Sequence, residues 1–375
     1  MDFTITRFGD FALFKYGKMP KKSEIKENGK YPIYSGYRYV GYYDDYNTEA
    51  NQLIIVARGV GGTGDVKLTK ERCYLTNLSI SAQIDESVVL PQYLYYYFSL
   101  RNLRYLDSGS AQSQITISDL EKVEIPLPNI ESQMRIVDCL SMLDYKIRTN
   151  EMINNNLAEQ SQAIFTEYMN CYPYKLTPLG DMAEIIDCLH SKKPEAVSDT
   201  TLQLLQLNNI TDSGFLDLSL KYYISKSDYD NWTRKCEIVE GDCVITNVGR
   251  IGAVSQAPVG THAAMGRNMT CIRLKKDKPF HSYLITALLS NHIRKEIMKN
   301  TDEGTIMGAL NVKNIPLLLF PVFETSVMVQ LENILSPIRK TIEQNYLSNQ
   351  TLTQTRDTLL PKLMSGELDV SDIDL

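Results

Sequence analysis

The sequence lacks the features that mark several common protein classes. No apolar run approaches the length of a membrane span, and the lysine-rich first thirty residues contain no apolar signal-peptide core. The seven cysteines are odd in number, scattered and never spaced as Cys-x-x-Cys. We therefore expect a cytoplasmic protein with reduced thiols, no membrane partner, and neither a disulfide framework nor a zinc site.

Signatures of catalysis are missing as well. The four histidines form no HExxH motif or other metal-ligand spacing, and no GxSxG nucleophile elbow or GxxxxGK[ST] phosphate loop occurs. The Asn-Pro-Pro-aromatic signature of amino-methyltransferases is also absent. We therefore expect a non-catalytic chain that has no catalytic residues and no metal ligands of its own.

One motif does suggest an enzyme. Residues 59–64 read GVGGTG, which is formally the GxGxxG of a dinucleotide site. Such a site needs a helix that begins at the last glycine and holds the pyrophosphate at its N-terminus. Residues 65–69 instead alternate like a strand, which favours a hairpin tip close to a polyanion. A nucleotide-dependent enzyme that uses this loop is an alternative function, and dinucleotide binding by the purified chain would support it.

Two stretches of the sequence carry the same heptad pattern. The first runs from Ile136 to Tyr168, and the second repeats it at an offset of 195 positions, as from Asn150 to Asn345. Apolar residues every 3.5 positions form a seam on one face of a long helix, and a partner helix must bury that seam. The central helix-pairing residues are Leu143, Ile147, Asn150, Asn154 and Leu157 in the first stretch and Ile338, Ile342, Asn345, Asn349 and Leu352 in the second.

Two successive asparagine layers occupy the same depth in both seams. A polar layer costs stability but fixes the register, because two amides satisfy each other only when they are opposed. The pattern therefore predicts that two long helices of the same chain pair with each other. Pro337 has no counterpart in the first seam and is predicted to kink or restart the second helix, and Pro361 is predicted to bend or end it.

The two halves of the sequence have the same order of parts. Each has a Gly-Asp turn, a β-rich section, a short helical segment, a run that ends in proline, and then its long helix. The β-rich runs are residues 30–46, 52–58, 202–207 and 243–253, the helical segments 91–104 and 280–300, and the proline runs 117–128 and 310–321. This order predicts an α+β fold with two β-rich domains, each followed by a long helix, and pseudo-two-fold symmetry. The predicted segments are 1–128, 129–170, 171–321 and 322–375.

The formal net charge of −6 does not exclude a nucleic-acid ligand. The acidic excess lies in residues 129–170 and 322–375, which leaves the two β-rich blocks close to neutral. Each block can therefore carry a local basic face. Tight non-specific DNA binding by this chain alone is disfavoured.

Basic and aromatic residues are interleaved in the β-rich blocks. Residues 31–46 contain seven tyrosines and Arg38. Lysines and tyrosine hydroxyls can hold phosphates, and arginine can read guanine O6 and N7, whereas tyrosines that pack a half-exposed sheet are the structural alternative. The candidate DNA contacts are Lys22, Tyr34, Tyr37, Arg38, Arg58, Lys67 and Arg72, and then His190, Lys192, Lys193, Asn247, Arg250, Arg267 and Asn268. The equivalent placement of Arg58 and Arg250 favours these two.

With this order of parts, the chain resembles the specificity (S) subunit of type I restriction-modification enzymes. The strongest local match is residues 356–368, RDTLLPKLMSGEL, which is similar to the end of that family's second helix. Supporting matches are Gly180-Asp181 through Ile185, GDCVI at 241–245 followed by GRIG at 249–252, and IPLP at 125–128. Each short motif is weak alone, but their order, occurring twice, is specific.

The resemblance implies two target-recognition domains that read a bipartite sequence in double-stranded DNA, and an antiparallel coiled coil of the two helices. It implies that the chain binds no cofactor itself. Two modification subunits would bind S-adenosylmethionine and methylate adenine, and restriction (motor-nuclease) subunits would use ATP and Mg. The acidic helices and tail, including Glu131, Asp138, Asp144, Glu332, Glu343 and residues 369–374, are a candidate surface for the modification subunits. The alternatives are the recognition subunit of a related non-type-I methyltransferase-nuclease and a scaffold that binds only protein.

Overall fold

The computed structural model describes residues 2–36, 38–59, 62–107, 114–212, 214–302 and 308–370. The chain has an α+β fold that divides into two compact units. Unit 1 comprises Met1–Lys146 and Thr351–Leu375, and unit 2 comprises Ile147–Gln350. Each unit contains one β-rich domain and part of both long helices. Among the described residues, no helix is both long and apolar enough to cross a membrane.

Among its described residues, unit 1 contains nine strands and two short α-helices before the first long helix. The strands are β1 (Thr4–Arg7), β2 (Ala12–Tyr16), β3 (Tyr31–Ser35), β4 (Arg38–Tyr43), β5 (Leu53–Val56), β6 (Val66–Leu68), β7 (Tyr74–Leu75), β8 (Ser79–Ile84) and β9 (Glu124–Leu127). The helices are α1 (Pro91–Leu100), α2 (Ile117–Leu120) and the long α3 (Ile130–Cys171). The strands form a four-stranded sheet of order β2-β8-β5-β6, a three-stranded sheet of order β4-β3-β7, and the pair β1-β9.

The core of unit 1 forms between the four-stranded sheet and α1. Strand β5 is buried along its whole length because it lies inside the sheet. Helix α1 starts at Pro91, where the missing N–H costs no helical hydrogen bond. Tyr93 of α1 packs in the same core as Ile136 of α3 and Leu363 from the C-terminal segment of the unit. The long helices are therefore integral to the hydrophobic core of this unit.

In the part of unit 2 that the structure describes, there are eleven strands and four short α-helices. Its elements are β10 (Tyr174–Pro178), α4 (Leu179–Met182), β11 (Ala183–Asp187), β12 (Gln203–Leu205), α5 (Lys226–Thr233), β13 (Glu237–Val239), β14 (Cys243–Thr246), β15 (Val254–Gln256), β16 (His262–Met265), β17 (Met269–Leu274), α6 (His281–Leu288), α7 (Asn291–Lys299), β18 (Thr301–Asp302), β19 (Ala309–Leu310) and β20 (Leu319–Phe323). The second long helix, α8 (Thr325–Ser365), follows.

The predicted duplication is confirmed in part of the strand order. The sheet β11-β17-β14-β15 repeats the order of β2-β8-β5-β6, and the pair β10-β20 repeats β1-β9. The three-stranded sheets differ, because β3 is central in unit 1 and β16 is central in unit 2. The two domains thus share a scaffold sheet and differ in the sheet beside it.

The asparagine layers pair as the heptad pattern predicts. Within unit 2, Asn150 Nδ2 donates to Asn349 Oδ1 at 2.8 Å, and Asn345 Nδ2 donates to Asn154 Oδ1 at 2.9 Å. The residue numbers rise along α3 while those of their partners fall along α8, so the two helices run antiparallel there. Each amide of one helix is opposed by an amide of the other, which fixes the register.

The remaining asparagine donors complete a network with two-fold symmetry. Asn154 Nδ2 donates to the carbonyl of Ile342, and Asn349 Nδ2 donates to the carbonyl of Ile147, both at 3.2 Å. At the offset of 195, Asn154 corresponds to Asn349 and Ile147 to Ile342. Exchanging the helices therefore maps each of these bonds onto the other, as pseudo-two-fold symmetry requires.

Unit 1 contains a polar contact between the helices that the duplication does not repeat. The guanidinium of Arg356 donates to Asp144 Oδ1 at 2.8 Å, and the hydroxyl of Tyr96 donates to the other carboxylate oxygen at 2.7 Å. Arg356 stands in the layer where the first seam has Ser161. The second seam therefore has a charged residue in a layer where the first seam has a neutral one. Arg356 needs an acidic partner, and Asp144 supplies it.

The two prolines do not interrupt the second long helix. Helix α8 is continuous from Thr325 to Ser365, so the prediction that it restarts at Pro337 or ends at Pro361 is wrong. A proline removes one N–H and frees the carbonyl four residues earlier. Pro337 and Asn333, which carries that carbonyl, are both exposed, so water can satisfy the freed oxygen while the buried seam holds the helix.

Candidate nucleic-acid interface

The first candidate site is a cavity in unit 1 that contains two of the predicted DNA contacts. Its volume is about 440 Å³. Cleft 1, as we call it, is lined by Ser35, Gly36, Arg38, Val40, Val56, Arg58, Gly59, Gly62 and Leu78. Arg38 begins β4 and is placed opposite Ser35 by a register shift in the β3–β4 hairpin. The fold therefore brings Arg38 and Arg58, twenty residues apart, to one opening.

Arg58 offers an unused hydrogen-bond donor in cleft 1. It follows β5, and its backbone N–H donates to the carbonyl of Leu78 at 3.2 Å. Its Nε is buried and has no hydrogen-bond partner among the described residues. An unsatisfied buried donor costs about 1–3 kcal/mol. This arrangement suits a site where a base or phosphate oxygen accepts the bond.

The glycine loop next to Arg58 has a structural explanation. Gly64 has a φ of +89°, and a Cβ there would lie 2.3 Å from the backbone nitrogen of Arg104. Thr63 Oγ1 donates to the carbonyl of Gly59 at 3.0 Å. Residues Val66–Leu68 form β6, as the alternation predicted, so the helix that a pyrophosphate site needs does not follow the loop. Residues 60 and 61 lie outside the described residues.

The other predicted contacts of the first half lie outside the lining of cleft 1. Lys22 is exposed in a 3-10 turn, and Lys67 is exposed on β6. Tyr34 is half-buried and packs against a small cluster around Leu75, and burial raises the pKa of its hydroxyl. Tyr34 thus fits the sheet-packing alternative. Tyr37 lies outside the described residues.

Arg72 is held by its own domain. Its Nε donates to Glu49 Oε2 at 2.8 Å, and its guanidinium lies 4.8 Å from the ring centroid of Tyr46. The hydrogen bond from Arg72 lowers the pKa of Glu49. An arginine that is already paired and stacked must give up these contacts before it can bind a phosphate. Its role as a DNA contact stays a prediction.

The second candidate site is a cavity of about 350 Å³ in unit 2. Cleft 2, as we call it, is lined by Lys193, Leu204, Gln206, Leu207, Asn208, Trp232, Gly266, Arg267 and Asn268. It therefore brings three of the predicted contacts together, Lys193 with Arg267 and Asn268. Lys193 Nζ donates to Gln206 Oε1 at 2.9 Å and lies 3.7 Å from the ring centroid of Tyr222.

The turn between β16 and β17 supplies one cation, Arg267, and one amide, Asn268, to the lining of cleft 2. Asn268 has a φ of +64°, a conformation that asparagine tolerates better than most residues. A Cβ on Gly266 would lie 2.1 Å from the carbonyl oxygen of Leu205, so the turn requires glycine at this position. Arg267, between them, is exposed. The backbone of this turn thus aims a cation at the rim of the cleft.

The prediction that Asn247 contacts DNA needs a correction. Its side chain is buried; Nδ2 donates to the carbonyl of Leu310 at 3.1 Å, and Oδ1 accepts from Thr270 Oγ1 at 3.0 Å. Both ends of the amide are therefore used inside the domain. Asn247 joins β14 to neighbouring segments and has no free surface with which to read a base.

Arg250 differs from Arg58 in both position and environment, because it follows the end of β14 by four residues whereas Arg58 follows the end of β5 by two. Its guanidinium donates to the carbonyl of Ile210 at 2.9 Å and forms an ion pair with Asp212. Arg250 is absent from the lining of cleft 2. It can read guanine only after leaving Asp212, and its role as a DNA contact stays a prediction.

The remaining predicted contacts lie at the start of the second domain. Lys192 is exposed, and His190 Nε2 lies 2.7 Å from Asp187 Oδ2. The prediction missed Gln206, Asn208 and Trp232 of cleft 2. The amide-rich run QLNN at 206–209, directly after β12, was a usable signal, because amides can pair with adenine. The buried Trp232 gave no sequence signal of its own.

The first part of the chain matches a known family profile. A family profile described as "Type I restriction modification DNA specificity domain" matches residues 1–159. Residues 1–159, which are less than half of the chain, are therefore similar to this specificity domain. The match covers the first β-rich domain and the first part of α3, and the sequence motif at 356–368 lies outside it.

Two proteins described as type I restriction enzyme specificity subunits extend the similarity over 80% and 99% of the chain. The chain is 22% identical to the type I restriction enzyme MjaIX specificity subunit of Methanocaldococcus jannaschii over 330 residues, which is 80% of this chain and 74% of the relative. It is 21% identical to the MjaVIII specificity subunit of the same organism over 416 aligned positions, covering 99% of this chain and 94% of the relative. The solved structure of the type I restriction-modification S subunit from M. genitalium superposes with a TM-score of 0.65 at 19% identity, covering 97% and 96% of the two chains. This last match shows a shared fold.

Proposed function

We propose that the chain is the DNA-recognition subunit of a type I restriction-modification enzyme and that its two β-rich domains read the halves of a bipartite sequence. The supporting observation is the duplicated four-stranded sheet, which recurs in both units while the neighbouring sheets and the clefts differ. A common scaffold with two different surfaces suits two different half-sequences. Relatives described as type I specificity subunits favour this function over a related non-type-I enzyme.

Methylome sequencing tests this proposal directly. The chain is expressed with its modification partner in a host that lacks other adenine methylation. The expected methylated motif has two specified parts separated by unspecified base pairs. A single continuous motif, or no methylation that depends on this chain, contradicts the proposal.

The chain itself takes no cofactor in this proposal. Two modification subunits bind S-adenosylmethionine and methylate adenine, and restriction subunits use ATP and Mg.

Within unit 1, Met134, Asp138, Met142 and Tyr145 recur in steps of four and three, so they share one face of α3. The three apolar side chains are 52%, 57% and 67% exposed. An apolar surface next to an acidic residue supports a protein partner at this face. Residues 371–374 of the predicted acidic tail lie outside the described residues.

Helix length is proposed to set the number of unread base pairs between the half-sites. Helices of 42 and 41 residues are each about 60 Å long at 1.5 Å per residue. Inserting one heptad into both helices, at opposed layers, adds about 10 Å and keeps the seam in register. We expect the unread gap to grow by about three base pairs while both half-sequences stay the same. Methylome sequencing checks this, and altered half-sequences with an unchanged gap contradict it.

Arg267 is expected to act as a phosphate contact beside the base-reading amides of cleft 2. It is exposed on the β16–β17 turn, and Gln206 and Asn208 line the same cleft. Arg267→Ala should weaken binding of specific and scrambled duplexes alike and lower the slope of log affinity against log salt by about one. Fluorescence anisotropy with the assembled methyltransferase measures both. Arg294→Ala, which removes an exposed arginine on α7, is the matched control. A loss confined to the specific duplex would show that Arg267 reads a base.

A further inference from the structure

Three potential metal ligands meet at the end of β11. The ligand atoms of Asp187, Cys188 and His190 lie within 4.8 Å of one another. Oδ2 of Asp187 lies 2.7 Å from His190 Nε2, while Oδ1 is buried and has no hydrogen-bond partner among the described residues. A buried carboxylate oxygen without a donor is costly. A cation at this point would satisfy it.

The sulfur of Cys188 is buried beside two backbone N–H donors. The residue is only 2% exposed. Burial and the neighbouring Asp187 carboxylate raise the pKa of the Cys188 thiol, and hydrogen bonds from the backbone N–H groups of Met269 and Asn268 act in the opposite direction. Such donors stabilise the deprotonated sulfur, which is the form that binds metals. They also join the ligand segment to the β16–β17 turn.

A second cluster of potential metal ligands in the same domain is already paired with a cationic side chain. Cys236, Asp242 and Cys271 also bring their ligand atoms within 4.8 Å, and all three are buried. Arg273, however, donates to both carboxylate oxygens of Asp242, at 2.8 and 2.5 Å. A guanidinium already occupies the cation position there, because the carboxylate is paired. Within the described ranges of the chain, no guanidinium donates to Asp187 Oδ1 in this way.

We propose that Asp187, Cys188 and His190 bind a divalent transition-metal ion, with Zn²⁺ as the ion that this oxygen, sulfur and nitrogen set favours. Three protein ligands leave one position for water or another ligand, as in open zinc sites. The bound ion fixes the segment that leads to Lys192 and Lys193, and the N–H donors to the sulfur couple it to Asn268. The sequence did not reveal the site because its ligands lie within four residues and form no standard spacing.

Cobalt titration of the purified, chelator-treated chain tests the proposal. Co²⁺ reports its ligands by absorption, because a thiolate gives a near-ultraviolet charge-transfer band and a tetrahedral site gives visible d–d bands. We expect one equivalent of Co²⁺ to produce both and excess Zn²⁺ to remove them. Cys188→Ser should abolish the charge-transfer band. His190→Gln and Asp187→Asn should raise the apparent Kd at least about tenfold.

The controls separate this site from the rest of the chain. Cys171 is exposed outside the cluster, so Cys171→Ser should leave the spectrum and the affinity unchanged. Circular dichroism checks the fold of each variant; if Cys188→Ser unfolds, the exposed His190→Gln decides. Absence of stoichiometric binding, or a band lost in Cys236→Ser but kept in Cys188→Ser, overturns the proposal. The titration uses no DNA, so its result does not depend on the proposed recognition function.

Discussion

Asn150→Leu is expected to lower the free energy of unfolding of unit 2 by about 1–3 kcal/mol. Asn150 is 1% exposed and donates to Asn349 Oδ1, so the substitution leaves an amide oxygen without its donor inside the seam. Asn345→Leu should cost a similar amount, because it removes the symmetry-related bond to Asn154. Urea unfolding measures the change, and the fluorescence of Trp232, the single tryptophan, reports on unit 2.

A double substitution distinguishes an amide pair from a general loss of packing. In Asn150→Leu with Asn349→Leu, both members of the pair become apolar, so no orphaned amide remains. We expect the double variant to be more stable than the sum of the single losses predicts, by about 0.5–3 kcal/mol. Asn156→Leu, at an exposed position of α3, should stay within about 0.5 kcal/mol of the parent. Strictly additive losses would show that the two amides act independently.

The helix pairing could be predicted from the sequence because it depends on a one-dimensional period. The step of four and three places Ile147, Asn150 and Asn154 on one face whatever the rest of the fold does. The amide layers then leave a single register in which each donor finds an acceptor. The β-rich runs were also recognisable, and Gly64 precedes a strand as predicted. The local sequence pattern therefore accounts for the helices and strands and for the seam between the two long helices.

The full lining of the clefts, and which of the predicted contacts are paired within their own domain, could not be predicted, because both depend on residues that are distant in the sequence. Arg250 is paired with Asp212, which lies 38 positions earlier, and Asn247 bonds to Leu310, 63 positions later. Residue type alone made both look like surface contacts. The wrong prediction that the helix restarts at Pro337 has a related cause, because burial of the seam stabilises the helix by more than the proline destabilises it locally. Long-range packing thus decided which polar residues remain available.

Arg58→Ala is expected to weaken binding of DNA with an intact first half-site by about 1–3 kcal/mol, roughly fivefold to 150-fold. Arg58 lines cleft 1, and its buried Nε has no partner among the described residues. A base oxygen or nitrogen that accepts from this guanidinium satisfies a donor that the free protein leaves unpaired, so the contact discriminates between bases. Arg58→Lys should recover little of the loss, because an ammonium cannot make two parallel hydrogen bonds. Anisotropy titration of the assembled methyltransferase gives the affinities.

A base-reading role of Arg58 also predicts a change in sequence specificity, in addition to the loss of affinity. Methylome sequencing of the Arg58→Ala enzyme should show relaxed specificity within the first half-sequence, with the second half-sequence and the gap unchanged, because each domain reads its half independently. Arg101→Ala is the matched control; this exposed arginine follows α1 in the same unit, stacks on Tyr97 and should leave the motif intact. An equal loss on scrambled DNA, with a salt slope lowered by about one, would make Arg58 a phosphate contact instead. Relaxation in the second half-sequence would contradict the assignment of cleft 1 to the first, since Arg58 lies in unit 1.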